Sequence, residues 1–223
     1  MEKLLLLMLM LVTCCAVPQD LSGKVFVFPK ENNRDHVKLI TFQTKFNSVT
    51  VCLRFLTDLT RNYGLFSLAT STVSNAFMLF KTNSEDVIRV FAQGGSTDFL
   101  SLSFPPNKWH SMCTTWSSEN GVAQLWLDGK ATIKRFIKTG PIAGTPITIL
   151  GQEQDSHGGG FNANQSFLGM ITNVHMWNHV TPAAEIKRYM DDKHFTPGNV
   201  FNWRSLDYHI TGEVLVDEES EVV

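Results

Sequence analysis

Asn120-Gly121-Val122-Ala123-Gln124-Leu125-Trp126-Leu127-Asp128-Gly129 is a strand bracketed by two turn signals. Asn-Gly and Asp-Gly suit tight hairpin turns because both positions tolerate positive φ, and the apolar run between them has strand length. The same grammar extends outward along the chain. Ser48-Val49-Thr50-Val51-Cys52-Leu53-Arg54-Phe55 alternates, placing Val49, Val51, Leu53 and Phe55 on one face. Lys24-Val25-Phe26-Val27-Phe28-Pro29 is a β-branched and aromatic run closed by proline. Ala76–Phe80 and Val87–Phe91 flank the polar turn 81–86. Many short strands with turn signals between them predict an all-β sandwich or barrel.

One segment departs from that period. Thr181-Pro182-Ala183-Ala184-Glu185-Ile186-Lys187-Arg188-Tyr189-Met190 offers a Thr cap, a proline at the first helical position and good helix formers after it. A single short helix is expected, with Ile186 and Tyr189 or Met190 facing the sheet. No internal repeat or low-complexity stretch interrupts the rest. The acidic run Asp217-Glu218-Glu219-Ser220-Glu221 is expected to be solvated and mobile.

At the amino terminus, Lys3 precedes the apolar run Leu4–Val12, and Thr13-Cys14-Cys15-Ala16 follows before Pro18. A basic start, a short apolar stretch and small residues make a secretory signal peptide, here residues 1–18 with cleavage between Ala16 and Pro18. The run is shorter than the roughly 20 apolar residues that span a bilayer. A secreted, extracellular domain of residues 19–223 is expected. Cys14 and Cys15 leave with the signal, so of the four cysteines the mature chain keeps Cys52 and Cys113. In an oxidising compartment two cysteines most simply form one disulfide. No C-x-x-C pair or nearby Cys/His set supports zinc instead. The formal net charge of -2 gives no basic footprint for nucleic acid.

Catalytic templates are not met: there is no G-x-S-x-G and no H-E-x-x-H, and Gly158-Gly159-Gly160 lacks the G-K-[ST] of a phosphate loop. His175 and His179 have i, i+4 spacing, but 171–177 reads as a strand, where that spacing chelates nothing. The chemically dense stretch is Ile149-Leu150-Gly151-Gln152-Glu153-Gln154-Asp155-Ser156-His157-Gly158-Gly159-Gly160-Phe161-Asn162-Ala163-Asn164-Gln165-Ser166. An apolar strand runs into oxygen-bearing side chains and then into glycines. Calcium takes roughly 6–8 oxygens from carboxylates, amides, backbone carbonyls and water, and Glu153, Gln154, Asp155, Asn162 and Gln165 could supply several. Polar glycine-rich loops are also, more commonly, solvated connections.

Leu150-Gly151-Gln152-Glu153-Gln154-Asp155-Ser156 resembles the calcium-loop motif of the short pentraxins. In the same order, 26–29 resembles that family's opening strand, and Trp109-His110-Ser111-Met112-Cys113-Thr114-Thr115-Trp116 its signature, with His110 one residue early. Trp126-Leu127-Asp128-Gly129-Lys130, Met176-Trp177 and Asn199-Val200-Phe201-Asn202-Trp203-Arg204-Ser205-Leu206 also match. The likeness covers about Lys24 to Leu215. It implies an all-β, two-sheet jelly-roll sandwich of the concanavalin/lectin-like kind, with one short α-helix. It further implies a calcium-dependent recognition protein of innate immunity and the acute phase, not an enzyme, assembled as a homopentamer.

Carried over position by position, the resemblance implies calcium ligands at Asn75, Glu153, Gln154 (through its backbone carbonyl), Asp155 and Gln165. Ser74 and Asn162 are weaker, because each stands where the family has an acid. Only Glu153 and Asp155 remain of four carboxylates, which puts two full-affinity ions in doubt. The implied ligand pocket comprises Phe80, Ala92 and Thr97, the last two in place of a threonine and a glutamate. A quaternary ammonium favours an aromatic face beside a negative charge, so anionic or carbohydrate ligands are as plausible as phosphocholine-like ones. Asp128 matches an acidic residue on the effector side, which makes complement a candidate partner, although Asp-Gly is also ordinary turn chemistry.

Two other functions fit some of the same residues. Glu153 and Asp155, two apart, match the carboxylate spacing of jelly-roll glycosidases, which need an acid and a second carboxylate flanking the bond. A metal-free adhesion module is the other. Asn164-Gln165-Ser166 is an N-x-[ST] sequon inside the loop, and Asn164 is expected to be largely unmodified in a calcium-binding form.

Overall fold

The computed structural model describes residues 17–219. The expected signal peptide lies almost wholly outside the described residues, as does the end of the acidic tail. Along the chain come β1 (Lys24–Phe28), β2 (His36–Leu39), β3 (Lys45–Phe46), β4 (Ser48–Leu56), β5 (Tyr63–Ala69), β6 (Phe77–Lys81), β7 (Ile88–Ala92) and β8 (Gly95–Phe99). There follow β9 (His110–Ser117), β10 (Val122–Leu127), β11 (Lys130–Ala131), β12 (Arg135–Phe136), β13 (Ile142–Ala143) and β14 (Ile147–Leu150). The chain closes with β15 (Gly169–Trp177), α1 (Ala183–Met190), β16 (Tyr208–Thr211) and β17 (Leu215–Glu218).

Two large antiparallel sheets result, with strand orders β11-β10-β9-β4-β15-β1-β17 and β16-β2-β14-β5-β6-β7-β8. β12 adds to β10, and β13 pairs separately with β3. The sheets pack face to face as a jelly roll, as the alternation of β4 predicts. Val49, Val51, Leu53 and Phe55 all lie in the core between the sheets, opposite Phe77, Leu79, Val90 and Phe99 of the second sheet. Among the described residues no helix is long and apolar enough to cross a membrane.

The first sheet is covered on its outer side as well. Cys52 of β4 stands directly opposite Cys113 of β9 in the ladder, and the two form a disulfide with Cα atoms 4.1 Å apart. Trp126, Trp177, Ile186 and Tyr189 bury it under α1. Ile186 and Tyr189 are the buried helical side chains, each contributing roughly 1.5–3 kcal/mol, and the Tyr189 hydroxyl donates to Asn173 O at 2.8 Å. The expected Thr181 cap is not made. Thr181 N–H donates to Thr50 Oγ1 at 2.9 Å, which pins the residue to the sheet, and Pro182 starts the helix without a side-chain cap.

The acidic tail also differs from expectation. Leu215–Glu218 pairs along β1 from Lys24↔Glu218 to Val27↔Leu215, making β17 the edge of the first sheet. Ion pairs of Glu218 with Lys24 and of Glu219 with Arg54 hold it there. The side chains of β17 are exposed, as the acidic composition suggested, but the open edge of β1 supplies backbone partners and two nearby cations supply counter-charge, so the segment is a strand.

Candidate functional site: an oxygen-rich loop over the second sheet

The loop 151–168 leaves β14 at Gly151, whose φ of +87 places it in the left-handed region. A Cβ there would overlap the Phe28 ring, lying 2.6 Å from Cδ1. The chain then lies down across β5. Gly64 permits this, since a Cβ at that position would sit 3.1 Å from Glu153 N. Gln154, fully buried, bolts the loop to the sheet: Nε2 donates to Ser67 O at 2.8 Å and Ile147 O at 3.1 Å, and Oε1 accepts from Gly158 N at 2.9 Å. Its amide is therefore spent on the scaffold, which leaves the backbone carbonyl as the oxygen it can offer.

The return limb is fixed by Arg61. Its Nη1 donates to Ser166 O at 2.7 Å and Asn164 O at 3.2 Å, while Nη2 pairs with Glu31 at 3.0 Å. Residues 163–165 form a single 3-10 turn capped by Asn162, whose Oδ1 accepts from Asn164 N at 3.0 Å. Phe167 N donates to Gly151 O at 2.9 Å and closes the base.

Within this frame Asn75 Oδ1, Glu153 Oε2 and Gln165 Oε1 are buried oxygens without a hydrogen-bond partner. They come from the two limbs of the loop and from the β5–β6 connection. Each orphaned acceptor costs about 1–3 kcal/mol, and a carboxylate more. Burial pushes the Glu153 carboxyl up to about 7, and the neighbouring Asp155 charge adds to the shift. Asp155 and Asn162 are exposed, and Ser74 is half-buried. Asn75 lies on the β5–β6 connection, at the Ala69 end of β5; Ala69 pairs with Ile147, to which Gln154 is bonded. Among the described residues no three His, Cys, Asp or Glu side chains gather as a metal cluster. The formal charge of the loop rests on Glu153 and Asp155. The donor set is neutral oxygen plus two carboxylates, a hard set that suits calcium rather than a softer metal.

The three positions of the implied ligand pocket do not share one surface. Phe80 pairs with Gly64 and so lies on the outer face one strand from Glu153, but it is only 8% exposed. Ala92 is fully buried in the core between the sheets. Thr97 alternates with Phe99, a core residue, so its side chain points inward on β8. The outward residue there is Asp98, which takes both Nε (2.7 Å) and Nη2 (2.9 Å) of Arg89 as donors. Neither Arg89 nor Asp98 is visible in sequence as a site residue. Counting alternation back from Phe99 would have exposed them.

Two further expectations were about chemistry. β14 ends at Leu150, so Glu153 and Asp155 sit on a loop and not at alternating strand positions as the glycosidase alternative needs. His175 is in β15, with Nδ1 accepting from Gly198 N at 3.2 Å, and burial pushes its pKa down to about 3. His110 bridges Asp128 Oδ2 through Nδ1 (2.7 Å) and Pro105 O through Nε2 (2.8 Å). With two acceptors as partners, the ring must donate at both nitrogens and carry charge. Burial opposes this, but Asp128 and Pro105 outweigh it and raise the pKa. Asp128 Oδ1 also accepts from Ser111 N at 2.8 Å.

Two antiparallel sheets with an oxygen-lined loop strapped across one of them define a lectin-like jelly roll. Residues 24–218 match the sequence model of the Pentaxin family. C-reactive protein of Sus scrofa is 40% identical over 220 residues, covering 97% of each chain. Serum amyloid P-component of Bos taurus is 39% identical over 199 residues, covering 88% of each. The native heptameric SAP-like pentraxin from Limulus polyphemus superposes with a TM-score of 0.83 at 20% identity, covering 91% of this chain and 98% of that one, a likeness of fold. The chain belongs to the pentraxin family.

Proposed function

We propose that this protein is a secreted pattern-recognition protein of innate immunity that binds phosphorylated or carbohydrate ligands through calcium and catalyses nothing. On this view residues 1–18 direct export and residues 19–223 form the recognition domain. The observation that carries the proposal is the set of buried, unpartnered oxygens on Asn75, Glu153 and Gln165, acceptors of the kind a hard cation satisfies. Asp155 and the Gln154 carbonyl complete the donors. Bound calcium would serve as an electrostatic anchor for ligand oxygens. The chain's own part is to hold the donors: Gln154 fixes the outgoing limb and Arg61 the return limb.

Two carboxylates neutralise one divalent ion in formal charge, so one well-held calcium per chain is the expected stoichiometry. Family membership supports cyclic assembly, with a homopentamer as the first expectation and the heptameric Limulus relative marking the range. Complement engagement at the Asp128 side rests on the resemblance alone.

Calorimetric titration of purified protein with calcium tests the proposal. One ion per chain should bind, and at a hundredfold excess over Kd it should add about 2.7 kcal/mol of stability, reversed by chelator. Glu153→Gln and Asp155→Asn should each abolish the heat. A wild-type protein that takes up no calcium at millimolar concentration overturns it.

A further inference from the structure

One row of residues runs straight from beneath the loop to the sheet edge. Gly64 pairs with Phe80, Phe80 with Arg89, and Arg89 with Asp98, across β5, β6, β7 and β8. Residues directly opposite in a ladder share a face. The Gly64 Cβ direction meets Glu153, so this is the loop-bearing face. Strands lie about 4.8 Å apart, which puts Arg89 about 10 Å from the point where Glu153 crosses.

The chemistry on offer along that row is not what a choline group needs. Phe80 shows 8% of its surface, and Ala92 and Thr97 turn inward, so little apolar face is available for methyl groups. Arg89 and Asp98 are the open groups, with side chains 42% and 35% exposed. Their bidentate contact uses Nε and Nη2 of the guanidinium. Nη1 and the outer lone pairs of the carboxylate remain, so the pair presents fixed donors and acceptors side by side with no net charge. The mutual hydrogen bonds lower the Asp98 pKa and raise that of Arg89, which keeps the pair ionised.

We propose that the Arg89–Asp98 pair determines ligand specificity, recognising hydroxyl groups of a saccharide whose other end is anchored at the 151–168 loop. Planar donors and acceptors at fixed spacing suit vicinal hydroxyls, whereas a quaternary ammonium can use neither the donors nor a charge already neutralised. The separation calls for a chain of sugar units, one at the loop and the next over Phe80 and Arg89. The assignment rests on the calcium-binding function proposed above. It also competes with a purely structural role, because a cross-strand ion pair beside an edge strand blunts unwanted pairing.

The test uses full-length protein, with a galactan, a mannan and phosphocholine-conjugated albumin as probes in calcium. Arg89→Met and Asp98→Asn should each weaken binding of the polysaccharide that wild type prefers by about tenfold or more, the scale of losing charge-assisted hydrogen bonds. Calcium uptake should be unchanged. The double variant Arg89→Asp/Asp98→Arg keeps an ion pair; it should melt like wild type yet fail to recover polysaccharide binding, because donors and acceptors have exchanged places. Polysaccharide binding at wild-type strength in the variants, or wild-type protein that binds calcium and only the phosphocholine conjugate, overturns the assignment alone. Wild-type protein without calcium uptake overturns the functional proposal and this one with it.

Discussion

Gly151→Ala is the substitution that most directly joins fold to site. Gly151 has φ of +87, and forcing an L-residue toward the left-handed region costs roughly 1–2 kcal/mol. The added Cβ also meets Phe28, 2.6 Å from Cδ1 and 2.9 Å from Cζ. The ring cannot step aside freely, since it packs edge-on against Phe167 at 5.6 Å and Phe167 against Tyr63 at 5.4 Å. Overpacking of this kind costs about 1–3 kcal/mol. The sum, about 2–5 kcal/mol, should lower Tm by about 4–20 °C for a domain of this size. Thermal and urea unfolding should be measured for Gly151→Ala, Phe28→Leu and the double variant. Trimming the ring removes part of the overlap, so the double variant should lose less stability than the two single losses added together, by about 1 kcal/mol. Because Glu153 lies two residues downstream, the stabilisation by calcium should shrink in Gly151→Ala as well. Melting of Gly151→Ala within about 2 °C of wild type, or strict additivity in the double variant, would refute the reasoning.

Further outcomes follow from other parts of the molecule. Replacing Cys52 and Cys113 with serine should cost about 4 kcal/mol on loop-entropy grounds for a separation of 61 residues, read by urea unfolding; thiol labelling of native protein without reductant should modify neither. The His110 pKa is raised above its unfolded value of about 6.5, so its contribution is complete below that pH and is lost as pH rises through the folded value. Asp128→Asn should flatten this alkaline loss, by about 1 kcal/mol once screening of a carboxylate with 41% exposure is allowed for; equal slopes in the two proteins between pH 6 and 9 would count against the pair. Asn164 is exposed while the neighbouring Gln165 oxygen is buried, yet a bulky glycan one residue from that oxygen would crowd the binding face. Intact mass before and after glycosidase, on protein eluted by chelator from a ligand resin, should show Asn164 largely bare, and full occupancy in that fraction would reverse the expectation.

The β4 alternation and the paired Gly-containing turns made the sandwich legible, because a period of two needs no tertiary information. α1 was legible for the same reason, through Ile186 and Tyr189. Its start was not, since Thr181 is captured by Thr50, a residue 131 positions away. Composition reported the solvation of the tail, whose β17 side chains are exposed, and said nothing of the open edge at β1 that pairs it. In the candidate site, residue types marked out Glu153, Gln154 and Gln165 as oxygen donors. Only the fold reveals that Gln154 spends its side chain on Ser67 and that Asn162 spends its own on Asn164. The carried-over position Thr97 illustrates the limit most sharply. A one-residue offset along a strand turns a side chain to the opposite face, and the acid of that region, half-buried on the outer face, stands at Asp98.

The pairing of β17 with β1 has a practical corollary for handling the molecule. Gly23 O accepts from Glu219 N at 2.8 Å, so the start of β1 and the end of β17 lie side by side at the rim of the sheet that does not carry the loop, while Gln19 upstream pairs with Leu206. A fluorophore, biotin or surface linker attached to an exposed side chain of β17 would therefore depart from that rim. Immobilisation through β17 should leave the loop-bearing sheet accessible to large, particulate ligands.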